Sequence, residues 1–508
     1  MPVTTLRLEA LLSLHGLVTV AALLTYVSLT RALHQRRYPS AAIGWVISLL
    51  LLPYVALPLF LLFGTRKLAQ GSLPLSDADS RAAHDLPWPQ ALAASMRLAP
   101  AAHYGGLSIH ADGAASLVAL RRVIDTAQRT LDVCTFILRG DAVGREIGDA
   151  LIGKARAGVR VRLLLDGIGR WLAPPPDLRR LRAAGVEVAI FVPVIHSPLR
   201  GRLNLRNHRK MVIADNEWLW SGGRNLAGEY FDDGGKGWRD LTFDCAGPLV
   251  DSASALFARD WAFANGPPRP GAASTRVERP NALRASDAAP DEPRANGRIA
   301  PGAGPVDSAR HLTTEIDPPI PAVVSGSNPS QPLAQLVPTG PDQADDTLLS
   351  MIVTAAFRAR RRIVAVTPYF VPDESLLGAL TLAARRGVVV DLLIPARSNH
   401  RMADIARHRA LRDLDRAGGH VHLLPRMIHA KCLVADDTIA FAGSANLDAR
   451  SLYLNYEMMI AVYAAADVQR FSAWIDAQRH DAATYVAHPP GLVRDMAEGL
   501  VLTLAFQM

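Results

Sequence analysis

One succession of helices and strands occurs twice along the chain, and this repeat constrains the fold more than any other feature. The segment "ARAGVRVRLLL" of the first copy resembles "ARRGVVVDLLI" of the second, and "LRAAGVEVAIF" resembles "LDRAGGHVHLL". Apolar residues at helical spacing alternate with short runs rich in branched apolar residues, which predicts alternating helices and strands. Such alternation is typical of an α/β domain whose mostly parallel or mixed sheet is flanked by helices. Duplication of one domain also predicts a pseudo-twofold arrangement of the two copies.

The amino-terminal end of the chain is apolar enough to enter a membrane. Residues from about 10 to 29 and from 41 to 63 are nearly all apolar, and each stretch is long enough for a helix to cross a hydrocarbon core of roughly 30 Å. The sequence therefore predicts a transmembrane hairpin over residues 1–64. Pro53 and Pro58 should kink the second helix, which membrane helices tolerate. A cleaved signal peptide is the alternative, but the first stretch is long for one and a second apolar stretch follows it.

A chain of 508 residues is too long for one compact core, which predicts more than one domain. A region of different amino-acid composition lies between the two copies of the repeat. The region between them is dense in proline, alanine, serine and glycine and contains no aromatic residue. It can bury too little apolar surface to offset the entropy of ordering, which predicts a disordered linker. The sequence thus predicts a transmembrane hairpin (1–64), a juxtamembrane connector (65–110), a first α/β domain (111–265), the linker (266–335) and a second α/β domain (336–508).

Each copy ends in the same spaced set of polar residues. The first reads "NHRKMVIADNEWLWSGGRN" and the second "IHAKCLVADDTIAFAGSAN", so both follow HxKxxxxD, six further residues and G[GS]xN. The apolar alternation around each HxK predicts a strand that places histidine and lysine on one face. A lone histidine on a strand is usually structural, but two equally spaced copies indicate a functional site. The candidate catalytic residues are His208, Lys210, Asp215, His429, Lys431 and Asp436, with Asn225, Asn446 and Ser444 as phosphate-binding support.

These residue types suit phosphodiester chemistry. A neutral imidazole can attack phosphorus, and an imidazolium can protonate a leaving alkoxide. Lysines and asparagines can neutralise and orient the non-bridging oxygens, so neither a metal nor another cofactor is expected. The three cysteines are widely spaced and form no zinc-binding pattern. The formal net charge of +8 fits anionic lipid and nucleic acid equally well.

With both motifs intact, the chain resembles the phospholipase D superfamily and, within it, the bacterial cardiolipin synthases. The likeness includes "RRYPSAAIGWVISLLLLPYVALPLFLLFG", "VTPYFVPDESLLGAL" and "GSANLDARSLYLNYE". It implies two phospholipase D-like domains, a phosphohistidine intermediate and a ping-pong reaction. It also implies that an acidic residue after each motif orients the histidine of the other, so that Glu457 would hold His208 and Asp240 would hold His429. In the family the motif aspartates are structural, and Gly223 in place of serine is a common variation, whereas the long linker departs from the family pattern.

The resemblance further implies a phosphatidyltransferase that condenses two phosphatidylglycerol molecules into cardiolipin and glycerol, with His208 as nucleophile and His429 as general acid and base. The expected location is the bacterial inner membrane, as a multi-pass protein whose partners are phosphatidylglycerol and the bilayer, without nucleic acid. Other functions stay open: a phospholipase D releasing phosphatidic acid, a transferase with an acceptor such as phosphatidylethanolamine, a nuclease, or a membrane scaffold with an inactive site. The sequence leaves the side of the membrane, the acyl preference and the oligomeric state undetermined.

Overall fold

The computed structural model describes residues 3–32, 39–64, 85–193, 204–231, 237–266, 332–343 and 345–505. All of these residues belong to one compact unit. The predicted linker over 266–335 lies almost wholly outside the described residues, which begin again at Pro332.

Three apolar helices form the amino-terminal part: α1 (Val3–Ala32), α2 (Pro39–Leu51) and α3 (Pro53–Phe63). Within α1, Leu14–Arg31 is the one stretch among the described residues that is long and apolar enough to cross a membrane. The second apolar stretch, predicted as a helix kinked at Pro53 and Pro58, is divided into two helices: the chain leaves the helical conformation at Leu52, because Pro53 has no N–H to continue the hydrogen-bond ladder and instead begins a new helix, within which Pro58 lies. A single apolar helix is therefore what the structure supports, and the expectation of a multi-pass protein does not follow from it.

The first half of the folded chain is built around one sheet. Its strands are β1 (Ala102–His103), β2 (Gly105–Ile109), β3 (Thr130–Thr135), β4 (Arg160–Asp166), β5 (Glu187–Phe191), β6 (Met211–Ala214), β7 (Trp218–Gly222) and β8 (Thr242–Ala246). Its helices are α4 (Trp88–Ser95), α5 (Gly113–Thr126), α6 (Ala142–Arg156), α7 (Gly167–Leu172), α8 (Leu178–Ala183) and α9 (Leu249–Asn265). Seven of the strands form a sheet in the order β2–β8–β7–β6–β3–β4–β5.

The second half repeats this plan. Its strands are β9 (Leu333–Thr339), β10 (Arg362–Val366), β11 (Phe370–Val371), β12 (Val389–Pro395), β13 (His420–Leu424), β14 (Cys432–Ala435), β15 (Ile439–Gly443), β16 (Leu447–Asp448), β17 (Glu457–Val462) and β18 (Ala483–Thr484). Its helices are α10 (Thr347–Arg358), α11 (Glu374–Arg385), α12 (Arg401–Arg416), α13 (Ala449–Tyr453), α14 (Ala465–Ala477) and α15 (Leu492–Ala505). The main sheet has the order β1–β9–β17–β15–β14–β10–β12–β13–β18, so its seven central strands follow the order of the first sheet.

Both sheets are mixed, which is the second of the two arrangements that the sequence predicts. In the first sheet β3, β4 and β5 are parallel, whereas every other pairing is antiparallel. The reason lies in the motif strands: β6 and β7 are joined by a turn at Asp215 and Asn216, and such a short connection can join only antiparallel strands. The same hairpin recurs as β14 and β15.

The two halves share strands and a core. β1 and β2 lie within the predicted connector 65–110, yet β1 pairs with β9 of the second sheet and β2 with β8 of the first. The second half begins at Leu333, three residues before the predicted boundary. One apolar cluster includes Phe243 and Phe257 from the first half and Ile460 and Phe471 from the second. Separation of the halves would expose this surface to water at a cost of roughly 25 cal/mol per Å².

Candidate active site

The first candidate histidine lies at a backbone contact between the halves. Asn207 forms a parallel bridge with Tyr456 of the second half, and the N–H of His208 donates to the Tyr456 carbonyl over 2.9 Å. This bridge aligns the residues that follow, so that Nδ1 of His208 lies 3.0 Å from Oε1 of Glu457. The hydroxyl of Ser444 donates to the other carboxylate oxygen over 2.6 Å. The contact implied by the family resemblance is therefore present, and Glu457 engages only one of the two ring nitrogens.

The second candidate histidine lies at the reciprocal contact. Arg239 of the first half forms a parallel bridge with Ile428 of the second, and Nδ1 of His429 lies 2.9 Å from Oδ2 of Asp240. Gly223 occupies the position that Ser444 has in the other half. A Cβ atom at Gly223 would lie 2.2 Å from Oδ1 of Asp240, so a serine does not fit there. Asp240 thus occupies the space that a serine side chain at position 223 would need.

Both motif lysines lie beside the histidines, and both are 1% exposed. Nζ of Lys210 donates to the backbone carbonyl of His208 over 2.7 Å. Nζ of Lys431 contacts the backbone carbonyl of His429 and lies 2.8 Å from its Nδ1. A ring nitrogen carries either a proton or a lone pair, so Nδ1 can bond to Asp240 or to Lys431 but not to both. The charge-assisted bond to the carboxylate is the stronger one.

Burial controls the protonation of the site. It lowers the pKa of His208 and lowers the pKa of His429 to about 3, so both imidazoles are neutral near pH 7. Burial also lowers the pKa of Lys210 to about 8 and that of Lys431 to about 7. Burial raises the pKa of Glu457, but His208 and Lys210 outweigh burial, and the pKa lies below its ordinary value. A phosphate anion would reverse the depression of the lysine pKa values, because it favours their charged form.

The two motif asparagines are not equivalent. Nδ2 of Asn225 donates to the Tyr230 hydroxyl over 2.7 Å, and its Oδ1 accepts the Ile137 N–H over 3.3 Å. Asn446 bonds to Asp448 through its side chain, while its Oδ1 is buried without a hydrogen-bond partner in the described part of the chain. An asparagine amide has two N–H groups, so each residue keeps one for a substrate oxygen.

The motif aspartates are not brought to the histidines. Asp215 accepts three successive backbone N–H groups at 128–130, each over 2.7 Å. Asp436 does the same at 360–362, each over 2.9 Å. Six residues of largely extended chain lie between each histidine and its aspartate, which places the two roughly 20 Å apart. Both residues therefore secure the turn that follows the motif strand, and neither side chain contacts a histidine among the contacts of the described residues.

Aromatic rings enclose the histidines, and no repeated motif had marked them. The Phe136 ring packs edge-on against His208 with centroids 5.0 Å apart. Tyr230 and Trp238 lie 5.1 Å and 5.6 Å from His429. The nearest signal in the sequence was the position of Trp238 two residues before Asp240. These rings exclude water and so strengthen the electrostatic contacts inside the site.

The described residues contain no group of three or more His, Cys, Asp and Glu side chains arranged to hold a metal ion. The cysteines Cys134, Cys245 and Cys432 are buried free thiols. The polar groups that converge on the two histidines are instead carboxylates, ammonium groups and amides. This set can bind one phosphate and move protons around it.

Comparison with known proteins identifies the family to which both halves of the chain are similar. The family described as "Cardiolipin synthase, PLD-like domain" matches residues 120–261 and 352–479, one region in each half. Cardiolipin synthase A of Pseudomonas aeruginosa (strain LESB58) is 30% identical over 469 residues, which cover 88% of this chain and 86% of that protein. Cardiolipin synthase 1 of Bacillus anthracis is 28% identical over 480 residues, covering 90% and 86%. The solved phosphatidylserine synthase of Haemophilus influenzae Rd KW20 superposes with a TM-score of 0.57 over 85% of this chain and 100% of that one, and its 15% identity shows a shared fold alone.

Proposed function

This chain belongs to the cardiolipin synthase family of proteins with phospholipase D-like domains, and from that premise we propose that it is a phosphatidyltransferase that converts two phosphatidylglycerol molecules into cardiolipin and glycerol. The observation that carries the proposal is the crossed pair of contacts, His208 with Glu457 and His429 with Asp240, which directs two histidines into one site lined by two lysines. Such an arrangement acts on a phosphodiester from opposite sides.

In the first step, Nε2 of His208 attacks the phosphorus of the donor lipid. A nitrogen–phosphorus bond forms, and the bond from phosphorus to the glycerol oxygen breaks. His429 gives its Nε2 proton to that oxygen, so glycerol leaves neutral. Glu457 holds the proton on Nδ1 of His208, which keeps the Nε2 lone pair available and stabilises the positive ring of the phosphohistidine. The charge of the bound phosphate favours the protonated form of His429 despite burial.

In the second step, the same histidine acts as a base. Neutral His429 takes the proton from the primary hydroxyl of a second phosphatidylglycerol, and the hydroxyl oxygen attacks phosphorus. The nitrogen–phosphorus bond breaks, cardiolipin is released and His208 returns to its starting state. The side chain of His208 is 14% exposed and that of His429 is 5% exposed, which supports His208 as the group that meets the donor phosphate.

The proposal extends to the organisation of the chain. Identical strand order and reciprocal bridges support a pseudo-twofold relation between two phospholipase D-like domains, 111–265 and 336–508, joined by the linker 266–335. We also infer that α1 and the pair α2–α3 form a transmembrane hairpin in the inner membrane. Packing of α1 against the pair supports it, as does the outward exposure of their remaining large apolar side chains, including Leu17 at 68% and Leu51 at 68%.

The decisive measurement is the product profile of the purified protein given labelled phosphatidylglycerol. We expect cardiolipin and free glycerol in equal amounts, and no product from His208→Ala or His429→Ala, with thermal melting of each variant as the folding control. Phosphatidic acid as the sole product would show that water is the acceptor. Activity in either histidine variant would contradict the two-histidine scheme.

A further inference from the structure

A short helix at the edge of the candidate site exposes two large apolar side chains. In α7, Trp171 is 73% exposed and Leu172 is 60% exposed. Trp171 is the most exposed aromatic residue in the part of the chain that the structure describes. The candidate mechanism does not use either residue. Contact with an apolar phase would stabilise the pair, since each Å² of apolar surface removed from water contributes about 25 cal/mol.

The polar contacts of Asp166 couple α7 to the nucleophilic histidine. One carboxylate oxygen of Asp166 accepts the N–H of Gly169 in the first turn of α7 over 3.1 Å. The other oxygen accepts the N–H of Asn207, the residue before His208, over 2.9 Å. On its inner side α7 lies against Phe136: a Cβ atom at Gly169 would lie 1.8 Å from the Phe136 carbonyl oxygen. Because the Phe136 ring packs on His208, the exposed pair is held at a fixed position beside the site.

Two exposed arginines lie close to the pair in the chain, with the exposed Asp177 as the one acid between them. Arg170 is exposed next to Trp171, and Arg179 is exposed at the start of α8. Among the described residues neither forms an ion pair, in contrast to Arg180, which pairs with Asp149 over 2.7 Å. Tryptophan with leucine and unpaired arginine is the combination that favours the boundary between headgroups and acyl chains of an anionic bilayer.

We propose that α7 inserts Trp171 and Leu172 into the headgroup region of an anionic phospholipid bilayer. This inference rests on the proposed function, since it takes the substrate to be a bilayer lipid. The contact places the site against the surface that holds the substrate. Donor and acceptor lipids then reach the histidines by lateral diffusion, and their acyl chains do not need to pass through water.

The test compares one substrate in two physical forms. Full-length Trp171→Ser, Leu172→Ser and the double variant are assayed with phosphatidylglycerol in vesicles and with short-chain phosphatidylglycerol dissolved as monomers. The matched control is Phe357→Ser. Phe357 is a large apolar residue that is 48% exposed, and it lies in the last turn of α10, outside α7 and the candidate site. We expect KM for vesicle lipid to rise about tenfold in the double variant with kcat retained, because only uniform binding is lost. Monomer kinetics and the control should be unchanged.

A second measurement reads the contact without any turnover. Trp171→Cys and Phe357→Cys are labelled with an environment-sensitive, thiol-reactive fluorophore. The three native cysteines are buried and should not react. The labelled proteins are then reconstituted in anionic vesicles that carry a lipid-bound quencher. We expect a blue-shifted, quenched signal at position 171 alone. An aqueous signal at 171, or equal losses on vesicle and monomer substrate, would overturn the proposal. If the native protein makes no cardiolipin from either form, the proposed function fails, whereas the label still decides whether α7 contacts lipid.

Discussion

Single residues hold the two histidines in different ways. In one pair, the hydroxyl of Ser444 fixes the carboxylate of Glu457. In the other, Asp240 occupies the space that Gly223 leaves and accepts the N–H of Leu241 over 2.8 Å. The Ser444 hydroxyl lowers the pKa of Glu457 and fixes the orientation of its carboxylate, whereas Gly223 provides only the space that the Asp240 side chain occupies. The two small residues at equivalent positions are therefore not interchangeable.

Exchange of these two residues should have unequal effects. Ser444→Gly removes a hydrogen bond to a charged group, which typically contributes about 1.5–3 kcal/mol, so we expect a modest fall in melting temperature and a kcat that falls roughly tenfold to a hundredfold in a protein that still folds. Gly223→Ser places a side chain on the Asp240 carboxylate, and we expect a protein that melts at lower temperature and is nearly inactive. Steady-state kinetics and thermal melting distinguish the two outcomes. Equal behaviour of both variants would contradict this account of the pairs.

The sequence was most informative about residues that the repeat presents twice. Both histidines, both lysines and the crossed contacts with Glu457 and Asp240 lie where the motifs and the resemblance placed them. Phe136 and Tyr230 were not predicted, because a ring that packs on a histidine requires no fixed spacing from it. Such contacts arise from the meeting of separate loops, which only the folded chain specifies.

Among the elements, the motif hairpins depend on an aspartate at their turns. Asp436 has a positive φ of 50° and accepts three backbone N–H groups that lead into β10. Burial raises the pKa of Asp436, but these donors outweigh it and the pKa lies below its ordinary value. Its contribution to stability is therefore present above the ordinary carboxyl range and is lost as the pH falls through the lowered value.

Asp436→Ala should consequently reduce stability and leave the chemistry intact. We expect the free energy of unfolding to fall by about 1–3 kcal/mol, because the three N–H groups lose their acceptor, while kcat of the folded protein stays within about threefold. Asp436→Asn, which also tolerates positive φ, should lie between the variant and the native protein. Thermal melting and kcat below the melting temperature provide the readout. A large loss of kcat in a fully folded Asp436→Asn protein would instead support a catalytic role for Asp436.

The periodicity of apolar residues predicts which segments are helices and which are strands, but it does not predict whether neighbouring strands run parallel or antiparallel. Helix–strand alternation identified the three parallel strands of each sheet. The turns after each motif reversed the chain and made both sheets mixed. Pro53 likewise divides the second apolar stretch into two helices where only a kink was predicted, since the loss of its backbone donor interrupts the hydrogen-bond ladder.

For the whole molecule, each half lacks a part that the other supplies. His208 and Glu457 belong to different halves, as do His429 and Asp240, and the halves share an apolar core. Contacts between the two halves, and not either half alone, therefore assemble the site.

Division of the chain tests this dependence. We expect residues 1–266 and 332–508, produced separately, to show less than about one thousandth of the native kcat/KM, because each histidine loses its carboxylate and its enclosure. Co-expression of the two pieces should restore a large part of the activity. Cardiolipin formation and co-purification are the measurements, and the pieces carrying His208→Ala or His429→Ala serve as controls. Activity of one piece alone would mean that it forms a site with its own copy.

Fusion of two like domains has a consequence for the direction of the cycle. Two identical chains related by symmetry must hold both histidines in the same environment, so neither can be reserved for attack. Here one histidine is held by a glutamate with a serine and the other by an aspartate beside a glycine, and the Nζ of Lys431 lies 2.8 Å from Nδ1 of His429, whereas Lys210 bonds to the backbone carbonyl of His208. Under the proposed mechanism, this asymmetry reserves His208 for attack and His429 for proton transfer, so the order in which the donor and acceptor lipids react is fixed within one polypeptide.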